Sequence, residues 1–516
     1  MRILYSIPRI LTLVLLITTA SAPALAKRAT WIEVSNDNFT VRSDADFDTV
    51  QTLIRDLERF RVVMAFLAGV ELMEDPTPPL LIYLFTTVSE YQKEMQAGGT
   101  LGFYQNPLLG ARMFLAAEDI SRRGVDARAV LFHEYTHHLL HHFSNYRYPV
   151  WYDEGFAEYV STIQFREKEG LVLLGDLPTR AAVVQGYPWI PCSEIVKSNG
   201  QYLAGSRMSI SNTSMQYAQG WLMSHMFSSK PELGGKLNEF IAAVNKPGVD
   251  PMAAFEDAFG WGSIECNEQL KDYWNGGSLK YVQLTMPKVE IELTRRTLDP
   301  EESAFQALEA RFLSGNMKGS QPRYEKAFKK ALKAGIREDD MHRYLAGVAL
   351  SRRSPERAME YAEALVRLAP QAGSSYYTRA AVRLGGPSGD GGEDMDGAQV
   401  QLVLKDYEKA LELAPGDAAA LTGYANAHLL PGIEVSDRAL LAIDQARGLN
   451  ADTQIIPLIK AKLLSKAGKD AQARVILEGL LNWARSKGQR KFFSKALDEV
   501  GTVEWAEPVA AGFDFW

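Results

Sequence analysis

A short sequence pattern recurs in the second half of the chain at a spacing of about 34 residues. The dipeptide Ala331-Leu332 returns after 33 positions and then after a further 46. The longer interval contains a Gly- and Asp-rich stretch, 385–397, and about a dozen inserted residues there would account for the difference. A helix pair of this length has an apolar face that only a neighbouring pair can bury. The repeat therefore predicts an all-helical, stacked array.

The segments that carry the repeat share a further pattern. They read Y-E-K-A-F-K-K-A-L from Tyr324, Y-A-E-A-L-V-R-L-A-P from Tyr361 and Y-E-K-A-L-E-L-A-P from Tyr407. The period and the A-L…A-P ending resemble tetratricopeptide (TPR) repeats. This resemblance implies a TPR-like domain over 300–487, a tail over 488–516, a mobile loop at 385–397, and a protein partner bound through the repeats. An irregular helical bundle with accidental alanine spacing is the alternative interpretation.

The first 26 residues have the layout of a secretory signal peptide. Arg2 and Arg9 precede a short apolar run, and the segment ends in Ala24-Leu25-Ala26, an A-x-A cleavage pattern. A run of about ten apolar residues is too short to cross the bilayer, which needs ~20. We therefore expect cleavage after Ala26, export to the periplasm or the extracellular space, and no stable membrane span.

Length and composition limit the function classes that the chain can belong to. With 516 residues it is too long for one ordinary core, so two or three domains are expected. The formal net charge of −7 argues against nucleic acid as a partner. Cys192 and Cys266 could pair in an oxidising compartment or could remain as buried thiols, and the sequence does not decide between them.

The first half has a mixed pattern of strands and helices. Extended segments are expected over 31–42, and an amphipathic helix over 47–67, where apolar residues follow helical spacing. The apolar runs 80–85 and 110–116 are strand candidates. Helices are expected from about Asp126 onward, with an interruption at Pro149. The predicted fold class is therefore an α+β N-terminal domain, 27–290, followed by the all-α repeat domain.

A metal-binding motif lies within the first of these later helices. The segment 130–143 reads V-L-F-H-E-Y-T-H-H-L-L-H-H-F. On a helix, His133 and His137 project from one face, one turn apart, so both imidazoles can reach one zinc ion. Glu134 lies about 100° around the helix, where its carboxylate can act as a general base beside the metal. The motif H-E-x-x-H thus supplies two ligands and one base.

The third metal ligand is expected from the segment after Pro149. This segment reads W-Y-D-E-G-F-A-E-Y over 151–159, and Asp153 is a suitable N-cap for a second helix. A helix that returns past the first would bring Glu154 to the metal. Glu158, one turn further along the same face, could accept the outer ring N–H of a ligand histidine.

These motifs together resemble the gluzincin metallopeptidases, and most closely their peptidase-MA-like branch. The resemblance implies a zincin-like domain with one Zn²⁺ ion, and it assigns the third ligand to W-x-x-E-G-x-A, hence to Glu154. In thermolysin-like members an acid follows four residues later, which corresponds to Glu158. In M1-type aminopeptidases the tyrosine of Y-x-x-G stabilises the oxyanion, which corresponds to Tyr217 in the segment Y-A-Q-G here.

One departure from that family bears on the type of peptidase. M1 aminopeptidases carry G-x-M-E-N on the preceding strand, and its glutamate holds the substrate's free amine. The nearest segment here, G-A-R-M-F over 110–114, has no acid, so the resemblance favours an endopeptidase. We expect the strand 110–116 to pair with extended substrate backbone. His138, His141 and His142 are interpreted as a solvated or partly packed cluster, although His141 could approach the metal face.

The sequence thus predicts a zinc peptidase that acts on a peptide or protein substrate. Glu134 would take a proton from the attacking water, and the metal and Tyr217 would share the developing oxyanion. The alternative is an extracytoplasmic TPR scaffold that binds peptides and carries an inactive peptidase-like domain. The presence of Glu134 argues against that alternative, because a purely structural zinc site does not need a base.

Overall fold

The computed structural model describes residues 30–509 apart from 69, 71–77, 119–126, 143, 145, 199–209, 247, 278, 280, 317–318, 386–394, 451–452, 485, 503–504 and 506–508. The predicted signal peptide, 1–26, and most of the predicted mobile loop, 385–397, lie outside the described residues.

The strands of the described residues form two sheets. Their bounds are β1 Ile32–Ser35, β2 Phe39–Ser43, β3 Leu80–Phe85, β4 Gly102–Gln105, β5 Arg112–Ala116, β6 Gln164–Arg166, β7 Leu171–Leu174, β8 Val282–Thr285 and β9 Thr294–Thr297. The larger sheet has the order β4-β5-β3-β2-β1-β9 and the smaller one β6-β7-β8. In the larger sheet β2, β3 and β5 are parallel, whereas β4 runs antiparallel to β5 at one edge.

Helices dominate the rest of the first half. Their bounds are α1 Phe47–Ala68, α2 Val88–Met95, α3 Ala127–His142, α4 Val150–Ser161, α5 Val183–Gly186, α6 Cys192–Val196, α7 Ile210–Ser229, α8 Pro231–Val244, α9 Pro251–Phe259 and α10 Ser263–Asn275, with a 3-10 helix at Thr179–Ala182. Cys192 of α6 and Cys266 of α10 form a disulfide, which decides between the two states that the sequence left open.

From residue 300 onward, the described secondary structure is helical. The bounds are α11 Pro300–Ser303, α12 Gln306–Leu313, α13 Gln321–Lys333, α14 Glu338–Ser351, α15 Pro355–Leu368, α16 Gly373–Arg383, α17 Gly397–Leu413, α18 Ala418–Ala427, α19 Asp437–Leu449, α20 Ile455–Lys466, α21 Asp470–Asn482 and α22 Lys487–Glu499. From α12 onward each helix packs on the next, and α14, α16, α18 and α20 also contact one another in succession. The helical array is therefore present, while its assignment to the TPR family stays a prediction.

The larger sheet lies between the helices of the first half and the helical array. Along β3, Ile82 and Leu84 pack in the core that contains α1 and α3, whereas Tyr83 and Phe85 pack in a cluster with helices of the array. Both faces of β3 are thus buried, which explains why its sequence is a continuous apolar run rather than an alternating one.

Several predicted elements match the structure and others need correction. The predicted helix at 47–67 and the strand at 80–85 are α1 and β3. The prediction that Asp153 caps the second helix is wrong, because α4 begins at Val150 directly after Pro149. The domain boundaries stay predictions: β9 pairs with β1 beyond residue 290, and α22 Lys487–Glu499 packs on α21. None of the helices in the described part of the chain combines the length and apolar character that a bilayer crossing requires.

Candidate metal centre

Helix α3 presents two imidazoles on one face. The Nε2 atoms of His133 and His137 lie 3.3 Å apart. The opposite side of the helix is fixed in the core, where the ring of Phe132 stacks on Phe60 of α1 with 4.7 Å between the ring centroids. The helix therefore has one apolar face that holds it against α1 and one polar face that carries the histidines.

Helix α4 brings a carboxylate to the same point. Glu154 Oε2 lies 3.3 Å from Nε2 of His133 and 3.6 Å from Nε2 of His137. This oxygen is buried, and no hydrogen-bond donor within the described residues satisfies it. A buried carboxylate oxygen that faces two imidazole nitrogens is costly unless a cation neutralises it. Two imidazoles and one carboxylate are a common ligand set for zinc, so these three residues could hold a metal ion.

Two glycines explain how α4 reaches the histidines. Gly155 of α4 and Gly220 of α7 face each other so closely that a Cβ atom on Gly155 would lie 2.1 Å from the carbonyl carbon of Gly220. The two helix backbones can therefore cross in contact. Glu154 precedes the first glycine and Tyr217 lies one turn before the second, so this crossing brings both of them to the metal site.

The sequence interpretation missed the role of Asp153. Its carboxylate Oδ1 lies 3.0 Å from His137 Nδ1 and 3.0 Å from His141 Nε2. Burial alone would raise the pKa of Asp153, but the neighbouring His141 and His137 together lower it by more. The pKa of Asp153 is therefore well below its ordinary value. An acceptor on Nδ1 fixes the ring so that Nε2 points to the metal position. His141 is thus a further contact of Asp153, and its part-buried position agrees with the interpretation of a partly packed histidine cluster.

Glu158 lies behind His133, on the side away from the metal position. Its Oε1 is 3.7 Å from His133 Nδ1, which is too long for a direct hydrogen bond. The same oxygen pairs with Arg180 of the 3-10 helix. The sequence did not indicate Arg180, because it lies in a separate short segment with no motif of its own.

Tyr217 lies beside the three metal-site residues. Its ring centroid is 6.3 Å from that of His133, and the guanidinium carbon of Arg180 lies 4.5 Å from the centroid of the tyrosine ring. Burial, together with the nearby carboxylate of Glu154, raises the pKa of Tyr217. The hydroxyl therefore stays protonated at neutral pH and can donate a hydrogen bond.

Glu134 faces the edge of the larger sheet. Its Oε2 accepts a hydrogen bond of 3.0 Å from the backbone N–H of Tyr104, in β4. The hydroxyl of the same tyrosine lies 3.1 Å from His138 Nδ1. His138 is thus packed against β4 and takes no part in the metal site, as the interpretation of a partly packed cluster expected.

The expected substrate strand needs correction. The strand β5, within the predicted segment 110–116, pairs with β3 on one side and β4 on the other, so its backbone hydrogen bonds are already used. The strand that lies at the edge next to Glu134 is β4. The sequence did not reveal this, because β4 is only four residues long, G-F-Y-Q, and has no clear alternation.

No protein-family model, curated protein or solved structure matches this chain. The gluzincin resemblance therefore stays a prediction from the motifs. The arrangement itself, independent of any family, is a candidate metal centre with an acid, a tyrosine and a sheet edge beside it.

Proposed function

We propose that this protein is an exported zinc peptidase of the gluzincin type that hydrolyses bonds within peptide chains. The observation that carries this proposal is the convergence of His133, His137 and Glu154 on one point, with Glu134 next to His133 in the sequence of α3. A structural metal site has no need for an additional carboxylate next to its ligands. A hydrolytic site does need one, because the attacking water must lose a proton.

The residues around the metal position have separate roles in this proposal. A bound zinc ion would polarise the scissile carbonyl and lower the pKa of water. Glu134 would accept the proton from the attacking water and pass it to the leaving amine. The protonated hydroxyl of Tyr217 would donate to the oxygen on which negative charge develops. Arg180 would hold the tyrosine ring in place and neutralise Glu158.

The edge strand β4 indicates the kind of substrate that the proposed peptidase would bind. β4 is the outer strand of the larger sheet, and an extended peptide that took the place of the contact between Tyr104 N–H and Glu134 could pair with it by backbone hydrogen bonds. This mode of binding is tolerant of side-chain identity. Neither β4 nor the loop that follows it, N-P-L-L-G over 106–110, contains an acid that could hold a free amino terminus. This composition supports cleavage inside a chain rather than removal of the first residue.

The catalytic role of Glu134 is tested by replacing it with glutamine. Glu134→Gln keeps the size of the side chain but removes the base, so hydrolysis of an unfolded protein such as casein should fall by roughly 100-fold or more. The zinc content should stay at the wild-type level, because Glu134 is not a ligand. Glu265→Gln, the same chemical change on the exposed face of α10, is the matched control and should retain full activity. Undiminished hydrolysis by Glu134→Gln would contradict the proposal.

The helical array and the export of the protein complete the proposal. The Cys192–Cys266 disulfide is compatible with an oxidising compartment and so supports export. We propose that the array binds a protein partner or part of the substrate, because stacked helical repeats offer extended surfaces for peptides. The scaffold alternative differs in one measurable respect, since it requires neither zinc nor Glu134 for binding.

A further inference from the structure

The loop between β4 and β5 leaves the sheet and enters the helical array. Leu108 of this loop is only 5% exposed and belongs to the buried apolar cluster formed by residues of α14 to α20. It is the only member of that buried cluster, within the described residues, that comes from the first half of the chain. The loop is therefore a structural connection between the sheet edge and the array.

Polar contacts hold the same loop on both sides of Leu108. Asn450, 3% exposed at the end of α19, donates from Nδ2 to the backbone oxygen of Asn106 at 3.0 Å. Gln105 Nε2 donates to the backbone oxygen of Ser314 at 3.3 Å. Arg112, where β5 begins, donates from Nη1 to the backbone oxygen of Leu313 at 2.9 Å. The array thus contacts the loop near its start, at its middle and at its end.

The other end of this hairpin is fixed on the metal-site helix. Tyr104 contacts Glu134 through its backbone N–H and His138 through its hydroxyl. At Gly102, helix α3 packs closely on the strand: a Cβ atom there would lie 2.4 Å from the side chain of Leu115 and 3.0 Å from that of Val130 in α3. Residues 102–105 are therefore held between α3 and the anchored loop, and a shift of the loop must move the strand.

We infer that the helical array positions the edge strand β4 against Glu134, with Leu108 and Asn450 as the positioning residues. Neither residue touches the metal site, and both act through β4. The effect on catalysis rests on the proposed function, whereas the mechanical connection between the array and β4 does not. The array is in this view part of the catalytic unit as well as a surface for partners.

The mechanical connection is tested by amide hydrogen exchange on the full-length protein. Leu108→Ala removes the apolar anchor, and Asn450→Asp replaces the amide donor with a carboxylate of the same size. In both variants the amide exchange rate of the segment 102–106 should rise by at least about tenfold. The segment has lost one contact with the array, so it opens locally at a lower free-energy cost. Exchange in α3 should stay unchanged. Leu477→Ala is the matched control, because Leu477 is fully buried in a separate cluster of α20 to α22, and none of the described residues of the first half belongs to that cluster.

The catalytic consequence is tested with the same variants. For a peptide of about ten residues, kcat/KM of Leu108→Ala and Asn450→Asp should fall by about tenfold at wild-type zinc content, while Leu477→Ala stays within about twofold of the wild type. The separate variant Leu108→Met should keep nearly the wild-type kcat/KM, because methionine fills about the same apolar volume as leucine. These comparisons are made at a temperature at which all variants are folded.

The outcomes separate this inference from the proposed function. Equal exchange at 102–106 in Leu108→Ala, Asn450→Asp and Leu477→Ala overturns the inference, whether or not the protein is a peptidase. A wild-type protein without hydrolytic activity, combined with faster exchange at 102–106 only in the two anchor variants, overturns the proposed function and supports the mechanical connection. Faster exchange with unchanged kcat/KM in an active enzyme overturns the positioning role.

Discussion

At the residue scale, the proposed metal site depends on the close approach of Gly155 and Gly220. A methyl group on Gly155 would overlap the backbone of α7, and backbone cannot yield in the way that a flexible side chain can. We predict that Gly155→Ala separates α4 from α7 and displaces Glu154. The variant should lose most of its zinc and about 1–3 kcal/mol of stability or more. Metal analysis and thermal unfolding measure both effects.

The matched control for this glycine lies in α8. Gly235 is exposed there, and a Cβ atom would meet no atom within 4 Å. Gly235→Ala should therefore keep its zinc and gain up to about 1 kcal/mol, because alanine favours the helix more than glycine does. Equal zinc content in the two variants would contradict the proposed role of the Gly155–Gly220 contact.

Asp153 gives a second prediction at this scale. Because it holds Nδ1 of His137, its loss should leave the ligand ring less well oriented without removing a ligand. Asp153→Ala should weaken zinc affinity by about 10–100-fold. Competition with a chromophoric chelator measures this affinity directly. His141→Ala removes a second contact of Asp153 and should weaken zinc affinity less than Asp153→Ala does. A larger loss of zinc affinity in His141→Ala would argue against this account.

The sequence predicted which residues could be ligands more completely than which residues support them. The candidate ligands His133 and His137 and the candidate base Glu134 follow from spacing on one helix, and the third candidate ligand, Glu154, lies in a recognisable motif. From the sequence, Asp153 was predicted only as a helix cap, and this is wrong because Pro149 occupies that position. Its contact with His137 was missed because His137 lies on another helix. Arg180 lies in a short segment without periodicity. Contacts between elements depend on how helices cross, and local spacing does not specify that.

At the scale of elements, the predictions succeeded where the local pattern was strong. The continuous apolar run of β3 and the helical spacing of α1 are local properties, and both elements have nearly the predicted bounds. The position of β5 inside the sheet was not predictable, because strand order depends on distant pairings. For the same reason, the short strand β4, which forms the edge beside Glu134, was missed.

The disulfide between α6 and α10 gives a prediction at the element scale. It joins residues 74 positions apart, so in a chain-entropy model it contributes about 4 kcal/mol by restricting the unfolded chain. A reducing agent should therefore lower the midpoint of thermal unfolding of the wild type. The double variant Cys192→Ser and Cys266→Ser should start from a lower midpoint and should not respond to the reducing agent. A wild-type midpoint that stays the same when the disulfide is fully reduced would contradict this prediction.

At the scale of the whole molecule, a buried charge cluster joins the sheet to the helical array. Glu309 of α12 is fully buried and contacts Arg42 of β2 at 3.3 Å and Arg337, just before α14, at 2.6 Å. The hydroxyl of Tyr344 also donates to Glu309 at 3.0 Å. Burial alone would raise the pKa of Glu309, but Arg337 and Arg42 together lower it by more, so the pKa of Glu309 falls to about 2.

This lowered pKa predicts how stability depends on pH. In the unfolded chain the group has its ordinary pKa of 4.5, so its stabilising contribution is complete above that pH and is lost as pH falls toward 2. Glu309→Gln removes the buried carboxylate that Arg42 and Arg337 share, although Glu33 stays beside Arg42 and Asp340 beside Arg337. The variant should therefore lose roughly 3 kcal/mol of stability at neutral pH. The difference between the urea midpoints of the wild type and the variant should shrink between pH 5 and pH 3. A difference that stays constant over this range would contradict the assignment.

The central claim is that two histidines from α3 and one glutamate from α4 bind a single zinc ion, and the metal content of two purified proteins tests it most directly. The wild type, loaded with zinc and dialysed, should retain about one ion per chain. Glu154→Ala should fold, as judged by circular dichroism, and should retain far less. A wild type without bound metal, or a Glu154→Ala variant that holds as much zinc as the wild type, would contradict the account.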